Sequence, residues 1–184
     1  MKGLLRTIGI FALAVLFSLY SCKHDGNNSG LNEQVKNIGT QGTNEGVVLL
    51  IAEADLIQLE NKPQYNTAEW LLKVDKPGRY DVWLSLITID STSMHFEDNV
   101  IITAGETKLE KKPVGDHMEM AEKGINGHWY RADTHMGSVY FSQAGEYPIQ
   151  VISDKVIAHA SDLSQVISDK HTLINSVILK PKVN

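Results

Sequence analysis

The stretch WLLKVDKPGRYDVWLSL, residues 70–86, has the clearest regular pattern in the chain. On both sides of a central DKPG, apolar residues recur at every second position, a period typical of strands with one buried face. Pro77 fixes φ for a turn, and Gly78 can supply a positive φ. The stretch therefore predicts two antiparallel strands joined as a β-hairpin.

The register of the second strand separates its side chains into two sets. Tyr80, Val82 and Leu84 are expected to face the core, and Trp83 is expected to face the other way. An outward Trp is either covered by another part of the chain, as most large aromatic side chains are, or free to stack on a ligand. Both interpretations stay open at the level of the sequence.

Further short apolar or alternating segments follow the same pattern, separated by turn residues. They lie at 47–52, 56–59, 100–103, 107–110, 137–141, 147–151 and 173–179. Two more hairpins are predicted, one across Gly105 and one across Ala144-Gly145, while residues 111–126 are expected to form a loop. Many short strands without a convincing amphipathic helix predict an all-β protein, an antiparallel β-sandwich.

The N-terminus resembles a targeting segment. Lys2 and Arg6 precede an apolar run, residues 8–17, that is too short to span a bilayer comfortably. The sequence LYSC that ends at Cys22, the only cysteine, resembles a bacterial lipobox. This resemblance implies cleavage before Cys22 and lipidation of its thiol, and a lone cysteine cannot form an internal disulfide. The alternative is an ordinary signal peptide followed by an incidental cysteine.

These features predict three parts: a lipoprotein signal peptide at 1–21, a flexible tether at 22–46 and a β-sandwich domain at 47–184. The tether is rich in Gly, Asn, Ser and Thr, which bury too little apolar surface to order a chain. The expected location is the bacterial cell envelope, where the exported domain contacts the membrane through its lipid anchor. The outer membrane is the expected site of anchoring.

The charge of the chain argues against nucleic acid as a partner. Removing Lys2 and Arg6 from the 17 basic residues leaves 15 against 22 acidic residues, which changes the formal charge from −5 to −7. Proteins that bind nucleic acid instead concentrate Lys and Arg to neutralise phosphates.

Several motifs together resemble a known family. They are AEAD at 52–55, KPGRY at 76–80, GHW at 127–129, VYFSQAGEYPIQV at 139–151 and LINSVIL at 173–179. Their combination resembles the galactose-binding-like β-sandwich, a jelly roll found in carbohydrate-binding modules and in domains beside fucosidases and other bacterial glycosidases. The resemblance covers residues 47–181. It implies a non-catalytic carbohydrate-binding or accessory module whose partner is a glycan or polysaccharide.

The same resemblance implies a possible structural calcium ion. Glu53 matches an early Glu of the family, and Asn175 lies where an Asp is often found near the last strand. Calcium prefers several oxygen ligands that include carboxylates, so Asn at this position weakens the electrostatic case. The alternative is that Glu53 only hydrogen-bonds to the backbone.

Glycan-binding residues in such modules combine an aromatic plate with polar groups that bond sugar hydroxyls. Residues in the predicted loops that fit this chemistry, with the outward Trp of the hairpin, are Trp83, Phe96, Asn126, His128, Trp129, Tyr130, Arg131 and Asp133; Glu97 and Asp98 also suit it. Trp129 and Tyr130 are adjacent, so on a strand they would point to opposite faces. Trp129 is the stronger candidate, although it could instead cap the core.

Catalysis is the less favoured hypothesis. The sequence shows no HExxH, no GxSxG, no phosphate-binding glycine loop and no cysteine beyond Cys22. Three functions remain: a glycan-binding module, a structural lipoprotein that docks an envelope protein partner, and a small glycoside-active enzyme. The third would depend on a carboxylate such as Asp98 or Asp133.

The hexapeptide QVISDK occurs twice, at 150–155 and at 165–170. The spacing is too isolated to indicate a solenoid. We interpret it as a local duplication in which one copy forms a strand and the other lies in an inserted loop or an extra edge strand.

Overall fold

The computed structural model describes residues 35–38, 46–120, 129–158 and 171–182. This part of the chain forms eleven strands: β1 (Val35–Ile38), β2 (Val47–Leu50), β3 (Asp55–Ile57), β4 (Thr67–Val74), β5 (Gly78–Thr88), β6 (Val100–Ala104), β7 (Thr107–Lys111), β8 (His117–Met120), β9 (Tyr130–Phe141), β10 (Gly145–Ile152) and β11 (Thr172–Pro181). Two short 3₁₀ turns, Ile51–Glu53 and Pro63–Tyr65, connect strands. The predicted signal peptide and Cys22 lie outside the described residues.

The strands form two sheets packed face to face. Sheet A has the order β1-β4-β10-β6-β7, with β3 also paired to β4, and sheet B has the order β2-β11-β5-β9-β8. The pairing of β1 with β4 is parallel, and the other pairings are antiparallel. The predicted all-β sandwich is confirmed.

The hairpin predicted for residues 70–86 is wrong. Both strands form where the alternation placed them, but β4 belongs to sheet A and β5 to sheet B, so the turn at 75–78 crosses from one sheet to the other. Alternation shows which face of a strand is buried, and two strands facing each other across a core satisfy it as well as two strands side by side. The Tyr80 hydroxyl, which donates a 2.7 Å hydrogen bond to the Lys76 carbonyl, helps to hold this crossing.

The hairpin predicted across Ala144-Gly145 is wrong for the same reason, because β9 lies in sheet B and β10 in sheet A. The hairpin across Gly105 is confirmed, since β6 pairs with β7 and Gly105 has a φ of +56°. The predicted loop at 111–126 is wrong at β8, which pairs with β9 along sheet B.

Four residues of the segment predicted as a tether form β1, which pairs with residues 71–74 of β4. The sequence of β1, VKNI, has apolar residues only at its two ends. It therefore lacks the alternation that would predict a strand. Among the described residues, no helix is long and apolar enough to cross a membrane. The first QVISDK copy begins in β10, as one copy was expected to do, and the second lies outside the described residues.

The core lies between the sheets and is built from the inward positions of the strands. Leu72 of β4 and Leu84 of β5 are fully buried, as is Leu179 of β11. Buried hydroxyl groups pair with each other, and the Thr172 hydroxyl donates to that of Thr88 at 2.9 Å. These inward side chains are buried between the sheets and do not reach solvent. Ligands can therefore contact the outward faces of the two sheets but not these positions.

Candidate functional site

The outer face of sheet B carries a group of polar and aromatic side chains that we call the Trp83 platform. It consists of Trp83, Ser85, Arg131, Asp133 and His135. On adjacent strands β5 and β9, Trp83 pairs with His135, and Ser85 pairs with Asp133. Three of the residues predicted from the sequence are thus brought together here, and two further residues join them.

Trp83 is half-buried, and side chains of its own chain contact its ring. The His135 ring lies at a centroid distance of 5.0 Å with an interplanar angle of 52°. Lys180 of β11 places its Nζ atom 5.5 Å from the Trp83 ring centroid, where a cation is attracted to the π face. The outward Trp was expected to be either covered by the chain or free to stack on a ligand. Its ring is partly covered by His135 and Lys180 and still reaches solvent.

Arg131 and Asp133 form a two-point ion pair beside the Trp. Arg131 Nη2 donates to Asp133 Oδ2 at 2.8 Å, and Arg131 Nε donates to Asp133 Oδ1 at 3.1 Å. Arg131 Nε also reaches the Ser85 hydroxyl at 3.2 Å. The planar fork of Arg matches a carboxylate in this way, and the pair presents fixed donors and acceptors at the surface.

A β-bulge in β9 sets the position of His135. The register with β5 shifts after Val82, so that Val82 pairs with Gly137 while Trp83 pairs with His135, and Met136 is the extra residue. The backbone of His135 is held on both sides: its N–H donates to Asp116 Oδ2 at 2.7 Å, and its carbonyl accepts from Lys111 Nζ at 2.9 Å. The imidazole is therefore presented from a fixed backbone.

Asp81 lies next to the platform on β5. The hydrogen bond from the Ser138 hydroxyl is the main cause that lowers the pKa of Asp81, and the neighbouring Lys182 and His135 add to the effect. The carboxylate lies 3.7 Å from His135 Nε2 and 3.7 Å from Lys182 Nζ. Cations and anions thus alternate along this face.

Two of the other predicted glycan-binding residues, Phe96 and Tyr130, lie away from this face. Phe96 is 5% exposed and packs in the core, so its prediction as a ligand contact is wrong. Nothing in the alternation marked it, because its loop folds back over the core. Tyr130 is half-buried at the start of β9 with Trp129 just before it, and the alternation places Tyr130 on the face opposite Arg131. Asn126 and His128 lie outside the described residues.

His135 was missed as a platform residue, although the sequence contained a signal for it. Arg131, Asp133 and His135 are spaced by two, and that spacing places them on one face of a strand. A search for polar residues that share a strand face would have grouped these three.

The predicted calcium ligands are both half-buried. Glu53 ends the first 3₁₀ turn, and Asn175 lies at an irregularity in the pairing of β11 with β5. Calcium takes about six to eight oxygen ligands, so these two side chains would need backbone carbonyls and water to complete a site. Within the described ranges, no group of three His, Cys, Asp or Glu side chains is arranged to hold a metal ion. The calcium site stays a prediction.

Comparison with solved structures supports the fold. The chain superposes on part of an alpha-L-fucosidase from Vibrio sp. strain EJY3 with a TM-score of 0.59 and 18% identity, covering 82% of this chain and 24% of the fucosidase chain. It also matches a Podospora anserina GH26-CBM35 beta-(1,4)-mannanase with a TM-score of 0.44 and 11% identity, covering 76% of this chain and 28% of that chain. The protein thus spans about a quarter of the length of these relatives.

No protein-family model matches the sequence, and no curated protein matches it. At this level of identity the likeness to the fucosidase concerns the β-sandwich fold alone.

Proposed function

We propose that this protein is a lipid-anchored, non-catalytic glycan-binding module of the bacterial cell envelope, and that the Trp83 platform is its binding surface. One observation carries the proposal: a solvent-reaching Trp lies beside the fixed, two-point Arg131–Asp133 pair on neighbouring strands. The anchor at Cys22 is supported by the lipobox resemblance of the N-terminus.

The chemistry of a sugar ring fits this arrangement. One face of a pyranose presents C–H groups that stack on an aromatic ring, while hydroxyl groups at the edge need donors and acceptors in fixed directions. Arg131 and Asp133 offer both, and the surrounding sheet holds them rigid. Such preorganisation lowers the entropy lost on binding.

The carboxylates near the platform support a binding role over a catalytic one. Glycoside hydrolysis uses two carboxyl groups on opposite sides of the scissile bond. Here both oxygens of Asp133 accept from Arg131, and Asp81 accepts from Ser138. Each acid is already engaged by a neighbour on the flat face of a sheet.

The fold neighbour agrees with a glycan ligand. A sandwich of the same fold forms part of an alpha-L-fucosidase chain, where it accounts for about a quarter of the length. A module of this size is suited to hold a glycan near the envelope.

The test is retention on glycans by the full-length, detergent-solubilised protein. Affinity gels and a glycan array would compare the wild type with Trp83→Ala, and with Trp83→Phe as the variant that keeps an aromatic ring. We expect retention by the wild type, loss by at least about tenfold in Trp83→Ala and partial recovery in Trp83→Phe, a tenfold loss being about 1.4 kcal/mol.

Two outcomes would contradict the proposal. If the folded wild type is retained by no glycan while a specific envelope protein co-purifies with it, the protein is a docking lipoprotein. If it turns over a glycoside and Asp133→Asn abolishes the turnover, the protein is an enzyme.

A further inference from the structure

A second concave surface lies on the outer face of sheet A. We call it the Tyr65 groove; its volume is about 410 Å³, and it is lined by Gln64, Tyr65, Asp98, Asn99, Ile101, Glu110 and Ile152. Ile101 of β6 and Ile152 of β10 are cross-strand partners and are both half-buried. Their aliphatic side chains form an apolar floor in the size range of small-ligand sites.

Tyr65 is 54% exposed, yet its backbone is fixed. It ends the 3₁₀ turn Pro63–Tyr65, where its N–H donates to the Lys62 carbonyl at 3.0 Å and its carbonyl accepts from the Thr67 hydroxyl at 3.0 Å. A large apolar ring held in solvent by a rigid backbone is suited to stack on a ligand, because little conformational freedom is lost when the ligand binds.

Asn66 anchors the same turn to the rest of the fold. Its side chain is 7% exposed, accepts from the Leu59 N–H at 2.8 Å and donates to the Val156 carbonyl at 3.1 Å. The Ser153 N–H also donates to the Asn66 carbonyl at 2.9 Å. These bonds connect the loop that carries Tyr65 to the end of β10, beside the groove floor.

The rim of the groove is polar, and its lining residues include no cation. Asn99 Nδ2 lies 3.4 Å from Glu110 Oε1, and Asp98 and Gln64 complete the set of amides and carboxylates. Lys108 contacts the rim, and its Nζ lies 2.7 Å from Glu110 Oε2. The hydrogen bond from Lys108 lowers the pKa of Glu110, with the Asn99 amide adding to the effect, so Glu110 stays charged at neutral pH.

We propose that the Tyr65 groove is a second glycan-binding site that takes a neutral pyranose and excludes uronic acids. The proposal rests on the proposed function, since it assumes that the protein binds glycans. Tyr65 supplies the stacking surface, the two isoleucines supply an apolar floor, and the amides and carboxylates bond hydroxyl groups. Lys108 offsets the charge of Glu110, and the remaining charge of Asp98 repels a sugar carboxylate.

The two surfaces differ in the sign of their available charge. In the Trp83 platform Arg131 is paired with Asp133, and Lys180 beside the Trp83 ring supplies the cation that an acidic sugar meets there. The groove offers none among its lining residues. A neutral sugar is therefore expected at both surfaces and an acidic one at the platform alone.

The experiment is saturation-transfer NMR on the full-length protein in detergent micelles. The probes are the methyl glycosides of fucose, galactose, mannose, xylose and glucose, and those of galacturonate and glucuronate. The variants are Trp83→Ala, Tyr65→Ala, Tyr65→Phe and the double variant of Trp83→Ala with Tyr65→Ala. Tyr140→Ala is the matched control, because Tyr140 is 65% exposed on the other sheet.

We expect Trp83→Ala to keep a weaker neutral-sugar signal that comes from the groove, and its affinity for uronates should fall by at least about tenfold. Adding Tyr65→Ala should remove the remaining signal, whereas Tyr65→Phe should keep it and Tyr140→Ala should change nothing. In the Trp83→Ala background, Asp98→Asn with Glu110→Gln should admit uronates to the groove.

The outcomes separate this inference from the proposed function. If Trp83→Ala removes all binding and Tyr65→Ala has no effect, the second site is overturned and the glycan-binding function stands. If Tyr65→Ala removes binding and Trp83→Ala does not, the groove stands and the platform is overturned. If the folded wild type binds none of the probes and no polysaccharide, both fail. Equal binding of galactoside and galacturonate in the groove would overturn the charge selectivity.

Discussion

Trp83 and His135 face each other across β5 and β9, with ring centroids 5.0 Å apart, because β9 contains one extra residue. Arg131, Asp133 and His135 lie on the outer face, whereas Val139 is buried, so the inward and outward positions exchange at Met136. Without this bulge, one end of β9 would have its apolar residues in solvent. The bulge therefore lets a single strand serve both the core and the platform.

The Arg131–Asp133 pair should matter for binding more than for stability. Arg131→Lys removes the fork that engages both Asp133 oxygens, and we expect glycan affinity to fall by about tenfold. Stability should change by less than about 1 kcal/mol, because the pair is partly exposed and salt bridges of this kind contribute little. Affinity electrophoresis and thermal unfolding measure the two effects. Arg79→Lys, at the other end of β5, is the matched control, and an equal affinity loss there would contradict the assignment.

Asp90 should make stability depend on pH. Hydrogen bonds from the Thr92 hydroxyl and N–H, and from His95, lower the pKa of Asp90 well below its ordinary value. A carboxyl whose folded pKa is lowered stabilises the fold above its unfolded pKa, and this contribution is lost as the pH falls toward the folded pKa. Asp90→Asn should therefore melt at a lower temperature than the wild type at neutral pH, and the gap should narrow below about pH 4. A gap that stays constant across the acid range would contradict this expectation.

Gly46 should tolerate no side chain. Its φ is +77°, and a Cβ there would run into the backbone carbonyl of Leu179 on the neighbouring strand. Gly46→Ala combines backbone strain with this overlap, and we expect a loss of about 3 kcal/mol or more in the free energy of unfolding. Gly78 has a φ of +153° and open space around it, so Gly78→Ala should cost only about 1 kcal/mol. Chemical denaturation measures the free energy of unfolding of both variants. Similar losses would show that the backbone shifts enough to avoid the overlap with Leu179.

Trp70 links the two sheets. It is 2% exposed in β4, and its Nε1 donates a 3.0 Å hydrogen bond to the Leu50 carbonyl at the end of β2. Trp70→Phe keeps an aromatic ring but leaves that acceptor without its donor, and we expect a loss of about 2 kcal/mol in the free energy of unfolding. Trp83→Phe, at the surface, should stay within about 0.5 kcal/mol. Equal effects of the two substitutions in urea unfolding would show that the inter-sheet bond contributes nothing.

The sequence predicted which faces are buried but not which strands are neighbours. Alternation identified Tyr80 and Leu84 as core and Trp83 as outward, because a period of two reports directly on the two faces of a strand. Pairing depends on contacts between segments far apart in the chain, which no local pattern encodes. For this reason the turn after Val74 was interpreted as a hairpin when it joins two sheets.

The candidate sites follow the same division. The sequence predicted Arg131, Asp133 and Trp83 as glycan-binding residues because polar and aromatic side chains together suit a sugar. Phe96 was predicted for the same reason although it is buried, because a loop carries no periodic signal of burial. Tyr65 escaped notice entirely. Its neighbours in the groove come from β6, β7 and β10, which only the folded chain brings to the same place.

The crossings between the sheets, among them those after β4 and after β9, also affect how fast the chain can fold. In the described ranges, strands that follow each other directly along the chain pair only as β3 with β4, β6 with β7, and β8 with β9. The central pairs instead join distant segments, such as Tyr80 with Pro181. Loop-closure entropy must be lost before these pairs form, so we expect refolding in milliseconds to seconds, slower than in domains built from local contacts. During that interval the apolar faces of β4 and β5 stay exposed, and this exposure raises the risk of aggregation.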